Sequence, residues 1–313
     1  MKFKKPKFWD YKKPNLLSYL LLPFTFPLII NNFFLGLEKK KDSTSKIKKI
    51  CVGNIYVGGT GKTPLVIKIN QILNQLGYKT AVIKKFYKNH IDEQKILAES
   101  TKLYCLKDRM TALNAVIKDN NNIALFDDGL QDQSINYDLK FVCFNNIRWI
   151  GNGLLIPAGP LREKIESISK YDAVFINGNE ADTSNLKLLI NKHNKNIKVF
   201  EAHYLPINTD LFDPDDKYIA FSGIGNPETF RETLLKNKFN IIKDIIFPDH
   251  HNYTQAHIDK IKLQAKNLDA KIITTEKDFV KINSNKNTDI RFLKIELKIK
   301  NEEELISYLK LHI

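Results

Sequence analysis

The sequence predicts an α/β protein of two α/β/α domains built on parallel sheets. Apolar, β-branched runs alternate with helical periodicity along most of the 313 residues, the pattern of strands covered by helices on both faces. That length suits two domains, each burying its own core without disulfides or metals. A cluster of Pro, Asp and Asn in "VFEAHYLPINTDLFDPDD", with Pro206 and Pro214, marks the join. The expected division is therefore 1–204 and 205–313.

In the first half, "KKICVGNIYV" is apolar and β-branched enough for a buried strand. The helix starting near Lys62 carries Leu65, Ile69, Ile72 and Leu76 on one face before Gly77 ends it. "KTAVIKKF", "KLYCL", "NIALFDDG", "LKFVCF" and "DAVFING" read as the following strands, with helices at 93–99 and 109–118. Past the join, "KYIAFSGIGNPETFRETLLKN" is strand, glycine turn and helix. "FNIIKDIIFPDHHNYT" is a strand running into a polar loop, and "AKIITTEKDFVKI" is strand, turn and short helix.

Ahead of all this stands "NLLSYLLLPFTFPLIINNFFLGL", preceded by a basic, aromatic stretch from Lys2 to Lys13. Pro23 and Pro27 interrupt it, and its apolar part falls short of the roughly 20 residues needed to span a bilayer. No small-residue cleavage site follows, only the charged "EKKKDSTSK". Lys and aromatic residues flanking a broken apolar helix, at about 14–35, favour an element lying in the membrane interface. A helix packed on the domain core is the other reading. The formal net charge of +14 fits an anionic membrane surface. No basic block interleaved with aromatics points to nucleic acid, and none is expected as a partner. Cys51, Cys105 and Cys143 form no CxxC pair, which suits a reducing compartment and argues against structural zinc.

The chemistry starts at "VGNIYVGGTGKTP". Gly58, Gly59 and Gly61 let the backbone turn tightly around Thr60 and aim N–H groups at phosphate oxygens. The helix that opens with Lys62, Thr63 and Pro64 adds its positive end. Lys62 is expected to reach the β- and γ-phosphates of ATP, and the Thr63 hydroxyl to ligate Mg²⁺. Tyr56 stands where the GxxxxGK[ST] pattern has its first glycine. Such a loop needs a carboxylate at the end of a neighbouring strand, and "IALFDDGLQD" supplies Asp127 and Asp128. This combination makes the N-terminal domain P-loop NTPase-like.

Together with the acids of "IDEQKILA", "DDGLQ" and "GNGLLIPAGPLRE", and with the later "FPDHHNY" and "TTEKDFVK", the loop resembles the tetraacyldisaccharide 4'-kinases of lipid A biosynthesis. The resemblance covers most of the chain. It implies transfer of the γ-phosphate of ATP to the 4'-hydroxyl of a tetraacyldisaccharide 1-phosphate lipid. With it come Mg²⁺, peripheral attachment to the cytoplasmic face of the bacterial inner membrane, and no obligate protein partner. It makes Asp92 the catalytic base, working with His250, and Lys62 a catalytic as well as a nucleotide-binding residue. Asp127 and Asp128 then belong with Thr63 on the metal side, and Glu93, Arg109, Gln131 and Arg162 near the substrate. The acceptor is expected in a cleft between the two domains.

The chain departs from the family in two places. "KKFYKNH" replaces a glycine-containing "SRGYGG"-like stretch and reaches Asp92 at once, and Asp132 follows Gln131 where the family has histidine. Two other classes share parts of this pattern. A P-loop ATPase acting as a membrane-associated switch would have no use for Asp92 and His250, and a kinase or ligase of a small soluble metabolite would not need the apolar helix.

Overall fold

The structure, a computed structural model, describes residues 5–37, 47–132, 134–179, 182–282 and 287–313; the charged run 38–46 lies outside them. The chain forms two compact units. The first comprises Met1–Phe86, Thr101–Ala202 and Ile299–Ile313, the second Tyr87–Ser100 and His203–Lys298. The expected division at 204/205 was linear, whereas both units are discontinuous.

The first sheet is assembled from β1 (Lys48–Gly53), β2 (Thr80–Lys85), β3 (Leu103–Leu106), β4 (Ile123–Asp127), β5 (Leu139–Asn145), β6 (Ala173–Gly178), β7 (Lys198–Pro206) and the late strand β12 (Ile295–Ile299). Its order is β12-β7-β6-β5-β1-β4-β2-β3, and the pairs from β6 through β3 are parallel. Strand β1 is thus flanked by β4 and β5, and the chain turns one way after β1 and the other way later. Ligands of open α/β sheets bind at such a reversal, beyond the carboxyl ends of the strands. Helices α3 (Lys62–Gln75), α5 (Arg109–Lys118) and α6 (Ser184–His193) carry the intervening chain. Buried on both faces, β1, β4 and β6 are near-continuously apolar, as parallel strands require. The last helix, α10 (Glu302–His312), belongs to this unit because Leu305 and Leu309 are buried and Tyr308 packs its ring against Phe141 and Phe200.

The second unit is a smaller parallel sheet, β11-β10-β8-β9, of β8 (Lys217–Ser222), β9 (Asn240–Ile246), β10 (Lys271–Thr275) and β11 (Ile290–Leu293). Tyr218 and Ala220 join one core cluster with Phe230 of α7 (Pro227–Lys236); Ile219 and Phe221 join another with Ile258 and Ile261 of α8 (Gln255–Asn267). Side chains that alternate along a strand explain how one short sheet feeds two cores. Helix α4 (Ile91–Ser100) belongs here rather than with its sequence neighbours: Lys95 donates to the Val280 carbonyl just after the short helix α9 (Glu276–Phe279), at 3.0 Å.

The N-terminal segment is tied to the first unit by its polar and aromatic residues. Trp9 is buried and its indole N–H donates to the Pro157 carbonyl at 3.0 Å. In α1 (Leu16–Leu20), capped by Asn15, the buried residue is Ser18, which accepts a hydrogen bond from Asn152 at 3.1 Å. The leucines face outward: Leu16 is 77% exposed and Leu20 64%. Phe24, just before α2 (Phe26–Leu37), is 66% exposed. No described helix is long and apolar enough to cross a membrane.

Candidate active site

In the first unit, the loop after β1 adopts the backbone its glycines allow. Gly58 has φ +128° and Gly61, the N-cap of α3, φ +83°, both in the left-handed region that side chains disfavour. Asn54 holds the loop from within, donating to the Gly58 carbonyl at 3.3 Å and the Thr60 hydroxyl at 3.0 Å; Asn177 of β6 donates to the Thr60 carbonyl at 2.8 Å. Pro64 sits in the first turn of α3, where no backbone N–H is needed. The Tyr56 ring packs with Leu155, Leu161 and the half-buried Leu28 and Ile29. Its hydroxyl accepts from Lys5 at 2.7 Å and donates to Asp10. The position where the pattern has glycine therefore anchors the N-terminal segment.

Register brings the acids to the loop. Val52 pairs with Asp127 across β1 and β4, and Lys84 pairs with Asp127 across β2 and β4. Thr63 donates to Asp127 Oδ2 at 3.2 Å, and the buried Lys84 ammonium lies 2.6 Å from the same oxygen. Asp127 Oδ1 is buried with no hydrogen-bond partner among the described residues. A hydroxyl beside an orphaned carboxylate oxygen is the hard-oxygen donor set that suits Mg²⁺. Asp128 follows with φ +61°, a strained conformation for a residue with a side chain. It places Oδ2 3.8 Å from Lys62 Nζ and Oδ1 3.3 Å from Arg162. Gln131 accepts from Arg162 at 3.4 Å and donates to Glu163 at 2.8 Å.

Arg109, expected near the substrate, is drawn into the first unit's own network. Its guanidinium is buried, pairs with Asp132 at 2.9 Å, and donates to the Asp128 carbonyl. Burial alone would raise the Asp132 carboxyl; hydrogen bonds from Ser134 and the Arg109 charge outweigh it and hold the carboxyl below its usual range. Asp132, which follows Gln131, is thus the partner of Arg109. Together they brace the left-handed turn at Asp128. Arg109→Ala is expected to destabilise the fold by about 2 kcal/mol, since it strands two acceptors. Chemical denaturation checks this, and a variant as stable as the parent would return Arg109 to the substrate.

In the second unit, Asp92 opens α4 and is 1% exposed. His250 Nδ1 lies 3.1 Å from both of its oxygens, and Lys281 and Lys277 Nζ approach at 3.6 and 3.9 Å. Burial raises the Asp92 carboxyl, but the His250 hydrogen bond and the two ammonium charges outweigh it, so the net shift is downward and the group stays ionised. His250 has φ +54° and is held there by its N–H donating to the Gly223 carbonyl at 3.0 Å. Gly223 in turn donates to the buried Asp278 at 2.8 Å. Lys277 binds Glu93 at 2.9 Å. Burial would lower the Lys277 ammonium, yet Glu93, Asp249 and Asp92 together raise it, so it stays charged. The structure thus gathers Asp92, Glu93 and His250 in one unit, and Lys62, Thr63, Asp127, Asp128, Gln131 and Arg162 in the other.

Sequence reasoning missed Lys84, Asn54, Asn177, Lys277 and Lys281. In a chain this rich in Lys and Asn, such residues carry little signal. Only the spacing of Lys277 and Lys281, four apart in "TTEKDFVK", hinted at a shared face.

Comparison with known proteins follows the same lines. The family model for tetraacyldisaccharide-1-P 4'-kinase matches residues 17–313. A tetraacyldisaccharide 4'-kinase of Pelagibacter ubique (strain HTCC1062) is 49% identical over 309 residues, covering 99% of this chain and 98% of its own. That of Rickettsia canadensis (strain McKiel) is 35% identical, covering 95% and 93%. Among solved structures, LpxK from Aquifex aeolicus, described in complex with ATP, superposes with a TM-score of 0.68 at 22% identity, covering 95% of this chain and 99% of that one. At that identity the superposition speaks for the fold.

Proposed function

The chain belongs to the tetraacyldisaccharide-1-P 4'-kinase family, and from that premise we propose how its residues perform the reaction. It is an ATP-dependent kinase that phosphorylates the 4'-hydroxyl of a tetraacyldisaccharide 1-phosphate lipid. The backbone N–H groups of residues 58–63 and the Lys62 ammonium hold the β- and γ-phosphates. Thr63 and Asp127 would hold Mg²⁺, with Asp128 beside them. When bound, the metal would offset the charge that builds on the phosphate during transfer. Gln131 and Arg162 line the acceptor side of this site, braced through Asp128 by Arg109.

The sugar hydroxyl must lose a proton as it attacks phosphorus, and the Asp92–His250 pair receives it. Lys277 and Lys281 keep Asp92 ionised, and Glu93 meets the polar groups of the acceptor. The observation that carries this reading is the Asp92–His250 pair, buried carboxylate against Nδ1 at 3.1 Å, which a nucleotide switch would not need. Labelled γ-phosphate supplied as ATP, with tetraacyldisaccharide 1-phosphate in detergent micelles, should appear on the lipid at the 4'-position. ATP turnover indifferent to acceptor, with no labelled lipid, would overturn it.

The N-terminal element docks on the anionic cytoplasmic face of the inner membrane. A helix that buries serine and exposes Leu16, Leu17 and Leu20 supports this. Replacing these three leucines with Ser is expected to release the protein from anionic vesicles, because each CH₂ taken into the bilayer contributes roughly 0.8 kcal/mol. Activity on micellar acceptor should persist. Sedimentation with vesicles checks it, and undiminished binding would assign the exposed leucines elsewhere.

A further inference from the structure

Glu93 and His250 have a third neighbour that the kinase reaction does not use. His90, in the turn before α4, stacks its ring on that of His250, with centroids 4.2 Å apart and planes 8° from parallel. Its Nδ1 lies 3.6 Å from Glu93 Oε2, while His250 Nε2 lies 3.7 Å from Glu93 Oε1. One ligand atom from each of the three lies within 4.8 Å of the other two. We propose that His90, Glu93 and His250 form a binding site for a divalent metal ion of the zinc type, and that filling it inhibits the kinase.

Tetrahedral zinc, with bonds of about 2.0–2.1 Å, holds its donors about 3.3–3.5 Å apart. The two contacts with Glu93, one through each carboxylate oxygen, come within a few tenths of an ångström of that. The two stacked imidazoles must tilt toward each other to share one ion, and His90 is the more exposed of the two. Asp92 supplies the outer support such sites have: by accepting from His250 Nδ1 it fixes the tautomer whose Nε2 lone pair faces the carboxylates of Glu93 and Asp249. The charge balance also suits a cation. Asp92, Glu93, Asp249 and Asp278 surround Lys277 and Lys281, four negative charges against two positive. Lys277 engages Glu93 Oε1, and Oε2 lies 3.6 Å from His90 Nδ1. Two imidazoles and one carboxylate select zinc, cobalt or nickel over magnesium, so the ion used at Thr63 and Asp127 does not compete.

Occupancy takes up His250 Nε2 and the Glu93 carboxylate. The inhibitory half of the proposal therefore rests on the role given to His250 above, whereas the binding half does not. The test is a Co²⁺ titration of the full chain without nucleotide, followed by the visible absorption that nitrogen-ligated, low-coordinate Co²⁺ shows strongly and octahedral oxygen-ligated Co²⁺ shows weakly. The band should appear in the parent and in Asp127→Ala, and Zn²⁺ should displace it. In His90→Ala, affinity should fall at least tenfold, given that loss of outer-shell support alone costs about 10–100-fold. With saturating Mg²⁺ and ATP, Zn²⁺ should inhibit the parent, and His90→Ala, as active as the parent without zinc, should resist by the same factor. His90→Ala titrating like the parent, or Asp127→Ala losing the band, overturns the site. Zinc that binds at this site without inhibiting overturns the inhibitory half and counts against the role of His250.

Discussion

Asp92→Asn is expected to lower kcat by about a hundred- to ten-thousandfold, the range a general base contributes, with nucleotide affinity unchanged. The substitution keeps the shape of a buried side chain and removes the charge that faces His250, Lys277 and Lys281. Because the phosphate loop is built from other residues in the first unit, ATP binding measured by calorimetry should match the parent. A variant that turns over normally would remove Asp92 from proton transfer. The downward shift of Asp92 adds a pH test. Since its folded value lies below the ordinary carboxylate value of about 3.9, Asp92 contributes stability that is fully present above that value and is lost as the pH falls through the folded one. No acid limb between pH 5 and 8 should therefore come from Asp92.

Lys62→Ala should cost about a hundred- to a thousandfold in kcat, as the loss of one preorganised cationic donor to a charge-shifting phosphate does. The ammonium lies 3.8 Å from Asp128, so its removal also leaves that carboxylate with Arg162 alone of the two cations described beside it. Affinity for ATP should weaken too, since Lys62 meets the ground-state phosphates. Asp92→Asn and Lys62→Ala thus differ in kind: one lowers kcat alone, the other kcat and nucleotide binding together. Near-normal phosphorylation by Lys62→Ala would detach the loop from nucleotide chemistry.

Much of the first unit's site was legible in the sequence because its elements are local. Gly58, Gly61, Lys62 and Thr63 fall within six consecutive positions, and a tight turn that ends in a helix can be read from such a run. The acid pair was legible because a polar dipeptide ending an apolar strand marks the carboxyl end of that strand in the sheet. The Asp92–His250 pairing was not: 158 residues separate the two, and in isolation each is an ordinary helix-start acid or loop histidine. The resemblance to a family supplied the names, and the geometry supplied their common unit.

The sequence by itself determined the alternation of strands and helices, the phosphate loop and the apolar N-terminus, since these follow from periodicity and from glycine's freedom at positive φ. Tertiary structure alone decided which strands adjoin, and with them the company each charge keeps. Placing β4 between β1 and β2 sets Lys84 and Thr63 on the same oxygen of Asp127. Burial set the Arg109 guanidinium against the Asp128 carbonyl and Asp132. It also gave Tyr56 an anchoring role where the motif asks for glycine. The physical reason is that the worth of a charge or a hydroxyl depends on what surrounds it after desolvation. Those surroundings are assembled from segments that the sequence keeps far apart.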